Sequence, residues 1–514
     1  MKFLVLLFSD DNEFQERKLF PGADGLKSAH ERAKEWAAAL ELEGAQKEIL
    51  ELQGSDWTSG RLMESIASSA KDTGADFVVF AHSSAAFLDL PLSKKLIQDH
   101  VEFKAEYTFA DGYPAGFAPE IIDSGAAAIM AELCKGASFE AARKPVSKDS
   151  VFDIIKGDVN SFEIETEIAG EDYRLLRMDF LCSSNLNALA AGSLAKKLAA
   201  DGKQSLLELD KEKIGDENVL AICEAAKGEV SVLKTVPAFY NVQIEGRVYA
   251  KNSFSPYKAR EERMNFESFA ALVKKIKEFS GDAMVSLSLF GEAALHPDFD
   301  KFALAALDKG LGVFAEIDGG LLPQFIRGGV FKSLVESVPQ EKRDRLCFAV
   351  CLDAASQKIF EEFHQGSLEE AAAAVRDLSA AFPQTYPQFV RVQKNEEELE
   401  AFFRFWSDKN SPSGGKIIVQ KYDHFCGLLP QEKTADLSPI ERGPCWHLRR
   451  DMDILLDGSV PLCRDLFLEK PLGNVFNDGL ADVWGKKDSF LAEHLKNEYG
   501  SSCGNCDEWY VFNF

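Results

Sequence analysis

Residues 285–317 read VSLSLFGEAALHPDFDKFALAALDKGLGVFAEI, and the hydrophobic period changes twice along them. VSLSLF has the composition of a pleated strand, DKFALAALDKG spaces its apolar residues at helical intervals, and GVFAEI returns to strand. Strand, helix and strand in that order make a parallel βα unit. The pattern continues on both sides, with strand candidates AFYNVQI (238–244), CFAVCL (347–352), QFVRVQ (388–393) and KIIVQKY (416–422), and helical runs such as FESFAALVKKIKEF (266–279). Six such units over residues 233–425 predict a partial (β/α)6 barrel of the TIM type within a multidomain α/β chain, with its chemistry at the C-terminal ends of the strands.

Upstream, residues 1–145 read as a separate α/β domain: strand KFLVLLF (2–8), a helix around SAHERAKEWAAALE (28–41) and strand ADFVVFA (75–81). Residues 146–232 are expected to form a small α+β connector, with FEIETEI (162–168) and YRLLRMDFLC (173–182) as strands and NALAAGSLAKKLAA (187–200) and ENVLAICEAAK (217–227) as helices. Downstream, residues 426–514 gather Cys445, Cys463, Cys503 and Cys506, the last two as the CxxC of CGNC. Thiolates are the ligands that iron and zinc prefer, and a CxxC turn offers two sulfurs from one tight loop. Four of them suit one tetrahedral zinc or one four-iron cluster, and ligand identity alone leaves both open. The run LGNVFNDGLADVW (472–484) predicts a turn at Gly473–Asn474 and a helix through Leu480, Val483 and Trp484 placed to cap the metal site. Cys134, Cys182, Cys223, Cys347 and Cys351 read as core thiols. Cys426, in the loop HFCG, is placed to approach the metal region.

The cysteine-rich third resembles the SPASM and twitch domains that follow radical-SAM barrels. PCWHLRRDMDILLDGSVPLC (444–463) matches their first cysteine, β-hairpin and Gly-x4-Cys; LGNVFNDGLADVW matches their Gly-Asn turn and Trp-ended helix; CGNC closes the set. HFCGLLP (424–430), PCWHLRRDM and the C-terminal CDEWYVFNF look like the spirochaetal spiro-SPASM family. A full SPASM domain carries further cysteines, and none follows Cys506, so the resemblance implies one auxiliary [4Fe–4S] cluster on Cys445, Cys463, Cys503 and Cys506. The chain departs from radical-SAM proteins after its first barrel strand. The stretch IEGRVYAKNSFSPYK (244–258) has no cysteine where that family has CxxxCxxC, while Gly291 and Glu292, followed by His296 and Pro297, keep a degenerate form of its SAM-site motif. SAM binding and radical cleavage are therefore not expected. Beside the cysteines, His447 is expected to hydrogen-bond the backbone or a cluster sulfur. Arg449, Arg450 and Arg464 either tune a negative cluster or pair with Asp451, Asp453 and Asp465.

The first domain resembles, more faintly, GT-A nucleotidyltransferases, with KLFPGADGL (18–26) in place of their phosphate loop and FLDLPL (87–92) in place of their Asp-x-Pro-Leu motif. This implies Asp89 as a Mg-nucleotide ligand, although Ala23 stands where that family has a basic residue, as in a degenerate domain. Two functions follow as expectations. One is a non-radical iron–sulfur protein for electron transfer or for binding a peptide, protein or small molecule. The alternative is a nucleotidyltransferase with a structural Fe–S or zinc site. A net charge of −25 disfavours nucleic acid and anionic membrane surfaces, and no apolar run approaches the roughly 20 residues of a membrane span, so a cytoplasmic protein is expected.

Overall fold

β1 (Lys2–Ser9) is buried along nearly its whole length, with Phe3, Val5 and Leu7 on one face and Leu4, Leu6 and Phe8 on the other. A strand apolar on both faces belongs in the middle of a covered parallel sheet. In the computed structural model, which describes all residues except 10–12, 23, 56, 137–139, 148–149, 157–158, 174–176, 210–214, 250–252, 436–437 and 511–514, β1 pairs in parallel with β4 (Gln46–Gln53) and β5 (Phe77–His82). The chain divides into two units, Met1–Thr235 and Val236–Phe514.

The first unit also holds the hairpin β2 (Phe20–Gly22) and β3 (Gly25–Lys27), followed by β6 (Tyr107–Asp111), β7 (Glu120–Asp123) and β8 (Ile164–Ile168). Its main sheet runs β4-β1-β5-β7-β6-β8, with β7 antiparallel to its neighbours. FEIETEI supplies β8, and the helices Asn185–Ala200 and Gly215–Lys227 place Leu194, Leu198 and Cys223 in the same apolar cluster as Phe3 and Trp36. The segment expected as strand YRLLRMDFLC differs. Residues 174–176 lie outside the described residues, and the remainder makes only isolated bridges at Asp179 and Leu181, because Arg177 turns to φ 48° and breaks the extended run. Among the described residues, no helix is long and apolar enough to cross a membrane.

The second unit is built on β9 (Phe239–Val242), β10 (Met284–Ser286), β11 (Gly312–Asp318), β12 (Leu346–Cys351), β13 (Thr385–Arg391) and β14 (Ile418–Lys421). All pair in parallel in sequence order, a curled half-barrel. Helices return the chain between strands. The helix Phe266–Ser280 starts at Asn265, whose side chain accepts the Ser268 N–H at 2.7 Å, and buries Phe269, Leu272, Val273 and Ile276 at spacings of three and four. A seventh parallel strand, β15 (Asp451–Ile454), comes from the cysteine-rich segment and pairs with β9 from Asp451↔Phe239 to Ile454↔Val242. The expected β-hairpin of that segment is thus split. β15 joins the barrel sheet, and β16 (Ser459–Val460) forms a separate antiparallel ribbon with β17 (Gly473–Asn474).

One apolar cluster runs through the second unit, and Phe348 is fully buried in it, with ring centroids 5.5 Å from Phe382 and 6.4 Å from Phe299. Truncating such a residue loses its transfer energy and leaves a cavity. Phe348→Ala is expected to lower the urea-unfolding free energy of this unit by about 3–5 kcal/mol, and a loss under about 1 kcal/mol would show that this core is not closely packed.

Candidate functional site

The four C-terminal cysteines reach one place from three local structures. Cys445 precedes the short helix Trp446–Arg450 that leads into β15, Cys463 follows β16, and Cys503 and Cys506 sit on and just after the helix Gly500–Gly504. All four line one small cavity, together with Cys426, His447 and Asp465. Its backing is apolar, with Leu448, Leu462, Leu466 and Trp509 buried in the same cluster. Burial pushes the Cys445 thiol up to about 12, Cys503 up to about 11 and Cys463 well above its usual value. Cys506 runs the other way, down to about 6, because the Cys426 thiol donates to it and the Glu508 N–H donates to its sulfur at 3.3 Å. Cys426 is correspondingly pushed up as the donor. Thiolates buried in apolar surroundings require a cation, and this donor set fits iron or zinc.

Around one zinc, four sulfurs at about 2.3 Å from the metal lie about 3.8 Å apart. Among the described residues, no three of Cys445, Cys463, Cys503 and Cys506 bring their sulfurs within 4.8 Å of one another, whereas Cys426, Cys506 and Asp465 do. Other expectations change. Leu480, Val483 and Trp484 pack into the barrel core instead of capping the cysteines, and Phe490 and His494 from the next helix lie at the metal region, where the Cys445 N–H donates to His494 Nδ1 at 3.3 Å. His447 Nδ1 bonds Asp451 and not a sulfur. Arg450 pairs with Asp451, and Arg464 pairs with Asp423 at 2.6 Å and Asp465 at 3.4 Å.

A second cavity of about 680 Å³ opens at the C-terminal ends of the barrel strands, and His447 lines both cavities. Gly291 and Glu292 border it. An added Cβ at Gly291 would stand 1.7 Å from the Glu245 carbonyl oxygen, so only glycine fits there. Glu292 accepts the Ala294 N–H at 3.2 Å and the Asp318 N–H at 3.0 Å; burial, helped by the nearby Asp318 carboxylate, pushes it up to about 8. Cys351, read as core, instead faces this cavity and accepts from Gln388 Nε2 at 3.5 Å, because it ends β12 where barrel strands open. The sequence reading also missed His364. Its Nδ1 lies 2.8 Å from Asp318 and its Nε2 3.0 Å from Asp353. Acidic residues directly after GVFAEI and CFAVCL were the available signal for this clamp.

In the first unit, Asp89 is 2% exposed and caps the helix Leu90–Glu102, accepting the Leu92 N–H at 2.9 Å. Ala23 lies outside the described residues.

A family model described as an iron–sulfur cluster-binding domain, SPASM, matches residues 445–507. An uncharacterized protein of Treponema pallidum (strain Nichols) is 34% identical over 381 residues, covering 71% of this chain and 98% of that protein. Among solved structures, SuiB of Streptococcus suis bound to the precursor peptide SuiA is 14% identical, over 66% of this chain and 87% of that one, with a TM-score of 0.42. A cytidylyltransferase of Leptospira borgpetersenii is 12% identical, over 44% of this chain and 94% of that one, with a TM-score of 0.33.

Burial opposes charge on His364, but its bonds to Asp318 and Asp353 outweigh that and push it up to about 9. A group raised in the folded state contributes fully below its unfolded value, about 6.5, and loses that contribution as pH rises through about 9. Between pH 6.5 and 10 the wild type is expected to lose on the order of 3 kcal/mol more unfolding free energy than His364→Gln. Parallel pH profiles for the two proteins would refute the clamp.

Proposed function

The chain belongs to the same family as the Treponema pallidum protein and contains a SPASM iron–sulfur cluster-binding domain, and from that premise we propose an iron–sulfur protein with one [4Fe–4S] cluster on Cys445, Cys463, Cys503 and Cys506. The observation that carries this reading is the convergence of the four cysteines on one apolar-backed cavity within the residues that the SPASM model matches. When bound, the cluster supplies one-electron chemistry beside the barrel. This chain's own residues do the rest. The Glu508 N–H and Cys426 lower the charge on the Cys506 sulfur, the apolar backing excludes water, and His447, held by Asp451, forms the wall between the cluster site and the barrel cavity. A peptide or small molecule held in that cavity lies across this wall from the cluster. With no cysteine in residues 244–258, the reaction proposed is electron transfer or binding without radical SAM cleavage.

Protein purified without oxygen is expected to carry about four irons and four acid-labile sulfides per chain with a broad visible absorption. Cys463→Ser and Cys503→Ser are expected to lose most of that iron. One zinc per chain and no sulfide would overturn the proposal.

A further inference from the structure

Cys426 is the fifth thiol of the metal cavity, and its geometry differs from that of the other four. Its sulfur, the Cys506 sulfur and an Asp465 oxygen all lie within 4.8 Å of one another. The Cys506 sulfur and Asp465 Oδ2 are 3.7 Å apart. For an ion about 2.3 Å from sulfur and about 2.0–2.2 Å from oxygen, tetrahedral ligands stand roughly 3.5–3.8 Å from each other. The Cys506–Asp465 separation already has that length. The open space in the cavity is about 20 Å³, enough for one water-sized guest.

The backbone is organised to bring Cys426 there. Phe425 and Cys426 both adopt left-handed conformations, at φ 50° and 52°. Non-glycine residues hold such conformations only where their surroundings enforce them. The enforcement is visible. The Phe425 N–H donates to Asp423 Oδ1 at 2.7 Å, and Asp423 Oδ2 is paired with Arg464 at 2.6 Å. The same Arg464 lies 3.4 Å from Asp465 Oδ1, leaving Oδ2 turned toward Cys506. One arginine thus anchors the Cys426 turn and orients the carboxylate.

We propose that Cys426, Cys506 and Asp465 form a site for a single thiophilic divalent cation, ferrous iron or zinc, which shares only Cys506 with the four-cysteine set. Two metal–sulfur bonds and one metal–oxygen bond form, whatever protons these three side chains still hold pass to solvent, and no oxidation state changes. Two thiolates and a carboxylate around a divalent ion leave one negative charge, which Arg464 faces. Three protein ligands leave the fourth position to solvent. Because Cys506 serves both sets, the single ion and the cluster exclude each other. The inference rests on the trio's geometry and does not require the cluster.

The test is a titration of the full-length chain, stripped of metal by chelation without oxygen, with cobalt(II) as the probe. One equivalent is expected to bind, with a sulfur-to-cobalt charge-transfer band of two-thiolate intensity. Cys426→Ser should halve the band and weaken binding at least about tenfold, and Asp465→Asn should weaken binding while keeping the band. Cys445→Ser and Cys463→Ser should change neither. A wild type without the band overturns the proposal, as does loss of the band in Cys445→Ser or Cys463→Ser, or binding unchanged in both Cys426→Ser and Asp465→Asn. Reconstitution with iron and sulfide reads the cluster separately, and Cys426→Ser is expected to retain about four irons there.

Discussion

Pairing of β15 with β9 is the constraint on which the second unit depends. It joins residues more than two hundred positions apart, from Asp451↔Phe239 to Ile454↔Val242. Backbone hydrogen bonds fix that register, and buried polar groups support it: Asn241 donates to Asp453 at 2.7 Å, and the Lys487 ammonium donates to the Asp451 carbonyl at 2.7 Å. Burial alone would raise the Asp451 carboxyl, but Arg450 and His447 outweigh it and hold the group well below the usual carboxylate range. The strand that completes the sheet is flanked by Cys445 and Cys463, so packing of the barrel and placement of the cysteines are one event. A one-residue slip would turn Met452 and Ile454, both fully buried, out of the core.

Strain and buried charge concentrate at the open end of this barrel. Phe290, Asp353, Phe425 and Cys426 all have positive φ, and all but Cys426 line the large cavity. Glu292 and Glu316 are both pushed up by burial, so the cavity floor favours the neutral carboxyl more than water does. The His364 clamp is the counterweight, a cation fixed between two carboxylates. Such an arrangement favours a guest whose polar groups match those that the cavity presents, His447 Nε2 among them, which has no hydrogen-bond partner among the described residues.

The barrel strands were legible because period-two runs alternating with helical runs admit few other folds. All six strand candidates overlap observed strands, VSLSLF only at Val285 and Ser286. The cysteines were legible because their chemistry is specific and their spacing local. What escaped the sequence depends on long-range placement. LADVW reads equally well as a cap for the cysteines or as a helix on the barrel, and Leu480, Val483 and Trp484 took the larger apolar surface. Cys351 and Val350 are both plausible core residues by type, and only the end of β12 at the cavity distinguishes them. Cys426 depends on two left-handed residues that no propensity favours, stabilised by an Asp423–Arg464 pair across 41 positions.

Arg464 links the two cavities electrostatically. It lines the barrel cavity and is paired with both Asp423, on that side, and Asp465, on the metal side. While Asp465 carries charge, Arg464 is shared between two carboxylates. A cation bound at Asp465 takes up that charge and leaves the guanidinium to Asp423 and to whatever occupies the barrel. In a water-poor interior such a redistribution is weakly screened. Arg464 thus stands between a carboxylate of the barrel cavity and one of the thiol cavity.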